Sequence, residues 1–152
     1  MIHLYEIDGV LCNDQRIRHL SPLETLVYQS EARVLHRPQH TFSILTGRPK
    51  EYTGDTLFWL VRNNVNFSTL FHGNTDPENP NLYKLDILNH LKSRGKEVIY
   101  YDSDMKTVEF LRMRGFSAWY MEWRMLERQR KGEIRLTEQV APDHPFRSKR
   151  WG

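Results

Sequence analysis

Ile2-His3-Leu4-Tyr5-Glu6-Ile7-Asp8-Gly9-Val10-Leu11 is the stretch on which the fold turns. An apolar strand runs into two carboxylates at i and i+2, a spacing that puts both on one face at a strand's end. Gly9 follows, where a chain leaving a parallel sheet needs freedom in φ. Two acids held together with little to neutralise them suit a divalent cation such as Mg²⁺.

Working outward, strand and helix signals alternate. Ser21 and Pro22 open a helix expected over 22–36, with Ser21 as cap and Pro38 as the stop. A second strand, 40–45, ends in Thr46-Gly47-Arg48-Pro49, and a helix over 54–64 follows. A short β-like piece at 68–71, a turn-rich loop over 73–81 and a helix over 82–94 closed by Gly95 come next. Val98-Ile99-Tyr100-Tyr101 runs straight into Asp102-Ser103-Asp104. A helix over 105–114 and a strand over 116–120 complete the alternation, with a further Arg-rich helix expected over 122–130 and an irregular tail after Val140. Such βαβ alternation predicts an α/β fold, a mostly parallel sheet covered by helices, in one domain over 1–123 with a basic extension over 124–152.

Composition sets the frame. A chain of 152 residues with 39% hydrophobic and 12% aromatic residues can bury a true core. The formal charge of +3 is compatible with polyanion binding. One cysteine, Cys12, cannot form an internal disulfide, and no apolar run nears the roughly 18 residues of a membrane span. The first residues lack a signal-peptide pattern. A reducing, cytoplasmic location is the expectation. Cys12 and the histidines show no metal-ligand spacing and are expected to be structural.

In open sheets of this kind, ligands sit beyond the carboxyl ends of the strands. Glu6 and Asp8 follow the first strand, Thr46 and Arg48 the second, and Asp102 and Asp104 a later one, while Lys84 starts a helix facing the same rim. Acid, hydroxyl, cation and acid are thus expected to converge.

This ordered set resembles the haloacid dehalogenase superfamily of Mg²⁺-dependent phosphohydrolases, over about residues 2–123. That family's opening Asp-x-Asp-Gly motif stands here as Glu6-Ile7-Asp8-Gly9. Its hydroxyl motif stands as Thr46-Gly47-Arg48-Pro49, its lysine as Lys84, and its later acidic motif as Asp102-Ser103-Asp104. The stretch 101–123 is most similar to the branch containing the phosphatase domain of polynucleotide kinase-phosphatase and to RNA-repair-associated phosphatases. The resemblance implies a three-layer Rossmann-like fold. The loops over 12–21 and 73–81 are too short for a large cap domain, so the site is expected either to admit the end of a macromolecule or to depend on a partner to close it.

By the same resemblance, Glu6 takes the nucleophile's place and Asp8 the acid/base role. Thr46, Gly47, Arg48 and Lys84 bind the phosphoryl group. Glu6, Asp8, Asp102 and Asp104 hold Mg²⁺. Glu6 departs from the family's aspartate. Its extra methylene moves the carboxylate by about 1 Å, a misplacement that can cost about a hundredfold in rate. Two functions follow as expectations. The first is a Mg²⁺-dependent phosphohydrolase acting on phosphate monoesters of nucleotides or nucleic-acid ends. The second is a catalytically inactive phosphate- or nucleic-acid-binding module, or a subunit of a larger assembly, with the basic tail as a nucleic-acid contact.

Overall fold

The computed structural model describes residues 1–13, 21–121, 128 and 131–132. Five strands form one sheet: β1 (Ile2–Tyr5), β2 (Ser43–Leu45), β3 (Leu70–Phe71), β4 (Val98–Asp102) and β5 (Ser117–Tyr120). Four α-helices accompany them: α1 (Pro22–Ser30), α2 (Thr53–Arg62, entered through a 3₁₀ turn at Lys50–Tyr52), α3 (Pro80–Ser93) and α4 (Met105–Arg112). The expected extension over 124–152 lies outside the described residues except for Arg128, Lys131 and Gly132, as does the expected helix over 122–130 except for Arg128.

The strand order is β3-β2-β1-β4-β5 and every pairing is parallel, so the sheet is wholly parallel where the sequence predicts only mostly so. Alternating side chains supply both faces. Tyr5, Ile44, Tyr101 and Trp119 pack with Trp59 and Leu60 of α2 in one core. Leu4, Leu45, Tyr100 and Ala118 pack with Leu88 and Leu91 of α3 and with Val108 and Leu111 of α4 in the other. The layers are helix, sheet, helix, a Rossmann-like layout. Among the described residues no helix is long and apolar enough to cross a membrane.

Order and handedness put the reversal of strand order at β1. From β1 the chain steps outward to β2 and β3, then returns through α3 to lay β4 on β1's other side. The crevice beyond the carboxyl ends of β1, β2 and β4 is therefore the topological switch point, the usual ligand position in open α/β sheets.

Two local expectations are corrected. Helix α1 ends at Ser30, not His36, because residues 33–36 pair with the chain leaving β1. Leu35 N–H donates to Leu11 O at 2.8 Å, and Val34 bridges Cys12 in antiparallel fashion. Likewise β1 ends at Tyr5, so Glu6 and Asp8 do not share a strand face. The Ile7 carbonyl accepts from the N–H groups of Val10, Leu11 and Cys12, folding the acids into a tight turn, with Gly9 at φ 82°. Helix α1 itself begins as expected: Ser21 and Glu24 form a reciprocal capping box ahead of Pro22.

On the face of the sheet that packs against α2, aromatic residues and histidines come together. Tyr5 stacks on Tyr101 with centroids 4.2 Å apart, and His3 lies 4.0 Å from His40. His36, 5.9 Å from the Tyr5 ring, is held down at about 4, first by burial and then by His40. A histidine kept neutral by the fold contributes stability that is complete above its unfolded value of about 6.5 and is lost as pH falls towards 4. A chemical-denaturation series from pH 7.5 to 4.5 is expected to show stability falling over that window. His36→Phe should flatten the fall, and an unchanged slope would contradict the assignment.

Candidate functional site

The site is built on three adjoining strand ends. Glu6 leaves β1, and its backbone N–H still donates to Tyr101 O of β4. Its carboxylate is fixed on both oxygens. Oε1 accepts from Ile7 N–H at 2.8 Å, while Oε2 takes Gly47 N–H at 3.0 Å and the Lys84 ammonium at 2.8 Å. Burial pushes Glu6 up, but the charge of Lys84 and hydrogen bonds from Lys84, Thr46 and Gly47 outweigh it and hold the acid near 2.

Lys84 is buried, at 4% exposure. It lies on the stripe of α3 that also buries Leu88 and Leu91, one and two turns on, so its stem points to the sheet. Its ammonium bridges Glu6 and Asp102, 2.8 Å from each. Despite burial, which lowers a lysine, the two carboxylates raise it above its usual value. Asp102 ends β4. Its Oδ2 also accepts from Tyr100 O–H at 2.6 Å, and its Oδ1 accepts from Asp104 N–H at 3.0 Å.

Asp8 points elsewhere. Arg48 grips it with two parallel bonds, Nε to Oδ2 at 2.9 Å and Nη2 to Oδ1 at 2.7 Å. This fork-to-fork geometry is the strong form of the pair, and both partners are buried. Arg48 Nη1 donates to Thr56 Oγ1, which in turn meets His72 Nε2 at 2.9 Å, while His72 Nδ1 meets Thr53 Oγ1 at 2.9 Å. Thr53 Oγ1 gives its own proton to a carbonyl, that of Lys50 at 2.6 Å or of His72 at 3.1 Å, so it accepts from Nδ1–H, and the unprotonated Nε2 accepts from Thr56 O–H. Burial, aided by Arg48, holds His72 below its usual value. Ser103 Oγ donates to the Asp8 carbonyl, tying β4's end to the same turn.

The loop after β2 carries the remaining parts. Thr46 is fully buried; its Oγ1 accepts from Arg48 N–H at 3.2 Å and bonds the Glu6 carboxylate. Gly47 is where a side chain is excluded. An added Cβ would stand 2.6 Å from Pro80 Cβ and 3.3 Å from Lys84 Cε. Gly47→Ala should therefore push α3 and Lys84 away and cost about 1–3 kcal/mol by overpacking. Gly54→Ala, where nothing lies within 4 Å, should stabilise by about 0.5–1 kcal/mol as a helix position. Urea denaturation of both variants checks the contrast, which equal effects would contradict.

The residues expected at the rim thus fall into two linked groups. Glu6, Thr46, Gly47, Lys84 and Asp102 form one, and Asp8 with Arg48 the other, joined through Thr46 and the turn at Ile7–Gly9. Asp104 stands apart as the N-cap of α4, its Oδ1 accepting from Lys106 N–H at 3.0 Å. Tyr100, Thr56, His72 and Asn74, whose amide holds Gly47 O at 2.9 Å, are site residues that the motifs did not single out. Tyr100 was findable: it lies two residues before Asp102 on a strand, hence on the same face.

Mg²⁺ requires near-octahedral oxygen ligands. Here both oxygens of Asp8 accept from a guanidinium, and the place between Glu6 and Asp102 belongs to an ammonium. Among the described residues, no group of three or more His, Cys, Asp or Glu side chains is spaced to share an ion. As arranged, the carboxylates do not fit a divalent cation without unseating Lys84 or Arg48. What the arrangement does offer is two buried cations and a main-chain N–H at a strand-end crevice, balanced by acids.

No protein-family model, curated protein or solved structure matches the chain.

Proposed function

We propose that the chain is a haloacid-dehalogenase-type protein that recognises phosphate monoesters on nucleotides or nucleic-acid ends, and that in the arrangement described it binds them without turning them over. The observation that carries this reading is the convergence of Lys84, Arg48, Thr46 and Gly47 N–H around Glu6 and Asp8 at the switch point of a parallel sheet. A phosphoryl group brings negative oxygens that match those donors. It would compete with the resident carboxylates for them. The acids therefore set a threshold: only a ligand with charge and donor-matching oxygens displaces them.

Binding without turnover follows from the acids' engagement. Both Asp8 oxygens face Arg48, so neither is turned to a leaving oxygen or a water. The Glu6 carboxylate is pinned from two sides and its charge is offset by Lys84. The second reading is a Mg²⁺-dependent phosphohydrolase, with Glu6 attacking phosphorus, Asp8 exchanging the proton, and Asp102 among the metal's ligands. It is favoured by one observation: the side chain in the nucleophile's place is ionised and in contact with both Thr46 and Lys84.

One assay separates them. The parent chain, Glu6→Asp and Asp8→Asn are tested with Mg²⁺ on an aryl phosphate and on a 3′-phosphorylated oligonucleotide. The proposal expects no turnover from the parent and none from Glu6→Asp, since that change leaves Arg48 on both Asp8 oxygens. Turnover by the parent that disappears in Asp8→Asn would replace it with the hydrolase reading.

A further inference from the structure

Two turns at the end of the sheet opposite the switch point concentrate positive charge. One, where α3 gives way to β4, carries Lys92, Arg94 and Lys96; the other, where α4 gives way to β5, carries Arg112 and Arg114. Over residues 1–121, fourteen Lys and Arg cancel fourteen Asp and Glu, yet residues 92–97 and 112–116 hold five of those cations against one acid, Glu97. The parallel pairing of Ile99 with Ser117 sets the turns side by side, and Lys92 Nζ lies 5.5 Å from the Phe116 ring centroid, linking them. Arg114 lies 3.6 Å over the Phe110 ring and donates to the Phe110 carbonyl, which fixes its guanidinium at the surface.

Cations are favoured at helix C-termini, and that accounts for Lys92 and Arg112 in the last turns of α3 and α4. It does not account for Arg94, Lys96 and Arg114, which lie beyond those turns. Lys92, Arg94, Lys96 and Arg114 are all exposed, and among the described residues none of them pairs with a carboxylate. Four such charges on two adjoining turns make a standing positive potential that suits a polyanion. We infer that these turns are a contact for the phosphate backbone of a nucleic-acid strand, bound without regard to its sequence. Arginine forks match phosphate oxygens, and the lysines add point charge. A membrane fits less well. Met113 and, beside Glu97, Met1 are the large apolar side chains exposed here, too little surface to insert, while Phe110 and Phe116 lie half-buried under the cations. The contact is remote from Lys84 and needs no terminal phosphate, so it goes beyond the reading above.

The test is a fluorescence-anisotropy titration of the full chain with a single-stranded oligonucleotide of about 20 nucleotides ending in a 3′-hydroxyl, at several salt concentrations. Four phosphate contacts predict that log affinity falls against log salt with a slope of about 3. The triple variant Arg94→Gln, Lys96→Gln and Arg114→Gln, all at exposed positions, should bind about tenfold more weakly and lower that slope by about 2. In ¹H–¹⁵N spectra of the parent, the amides of Gly95 and Gly115, one in each turn, should shift when the strand is added, a readout independent of any variant's folding. No binding by the parent, equal binding by the triple variant, or unmoved Gly95 and Gly115 signals overturns the inference. Binding to phosphatidylserine vesicles without binding to the strand overturns it too, and assigns the turns to a lipid surface. Because the strand ends in a hydroxyl, these outcomes stand apart from the phosphate-monoester reading, which a 3′-phosphate tests.

Discussion

Lys84→Met is expected to destabilise the fold by about 3–5 kcal/mol, read as a lowered midpoint in urea at pH 7. The size follows from what is left behind. Glu6 and Asp102 are 5% and 0% exposed, and the ammonium between them is the charge that both face. Removing one member of a buried ion network strands the others without compensation. Methionine fills most of the lysine's volume, so the loss reports charge and not a cavity. A double-mutant cycle sharpens the result: Glu6→Gln with Lys84→Met should recover part of the loss, because one uncompensated charge goes too. A single-variant cost below about 1 kcal/mol would mean that the two acids find other partners.

pH gives the same network a second signature. Glu6 sits near 2, below the usual carboxylate value of 4.5. A depressed acid contributes stability that is present above 4.5 and is lost as pH falls towards 2. In Lys84→Met the largest cause of the depression is gone, leaving the hydrogen bonds from Thr46 and Gly47, so this acid-side loss should shrink, while the histidine-dependent fall between 6.5 and 4 should persist. The two windows separate the Glu6 network from the buried His36.

Arg48→Leu carries the other large effect, again about 3–5 kcal/mol of stability, for a buried Asp8 would lose both guanidinium bonds at once and keep only the weak Cys12 thiol as a donor. Thr56 would lose a donor as well, loosening its link to His72. Arg48→Lys should restore only part of the loss. An ammonium keeps the charge but cannot span both Asp8 oxygens and Thr56 from one planar group. Thermal or urea unfolding of the pair checks this. Equal stability of Arg48→Lys and the parent would show that charge alone suffices there.

Much of this was legible in the chain. Alternating apolar strands and helix-end signals specify the parallel α/β sheet, because such strands read as apolar runs between helix ends marked by Ser21 and Gly95. Glu6, Thr46, Lys84 and Asp102 could be placed on one rim because each follows a strand or opens a helix, and those ends meet at the switch point. What spacing could not supply was the pairing. Nothing local to Asp8 shows that its partner is Arg48, forty residues on, and nothing local to Glu6 shows that the turn at Ile7–Cys12 swings it away from Asp8. The end of α1 was misplaced for a similar reason. Residues 31–36 continue an apolar helical pattern, but the loop leaving β1 offers backbone partners that take them into a bridge. Long-range competition of that kind leaves no mark in a helical window.

Lys84 and Arg48 at the strand ends are the groups proposed to recognise a phosphate monoester. Equilibrium titration of the parent chain and Lys84→Met with an oligonucleotide bearing a 3′-phosphate, beside the same oligonucleotide ending in a 3′-hydroxyl, tests that recognition most directly. The predicted result is tighter binding of the phosphorylated end by the parent, by at least tenfold, with that difference abolished in Lys84→Met. Equal affinity of the parent for the two ends would contradict it.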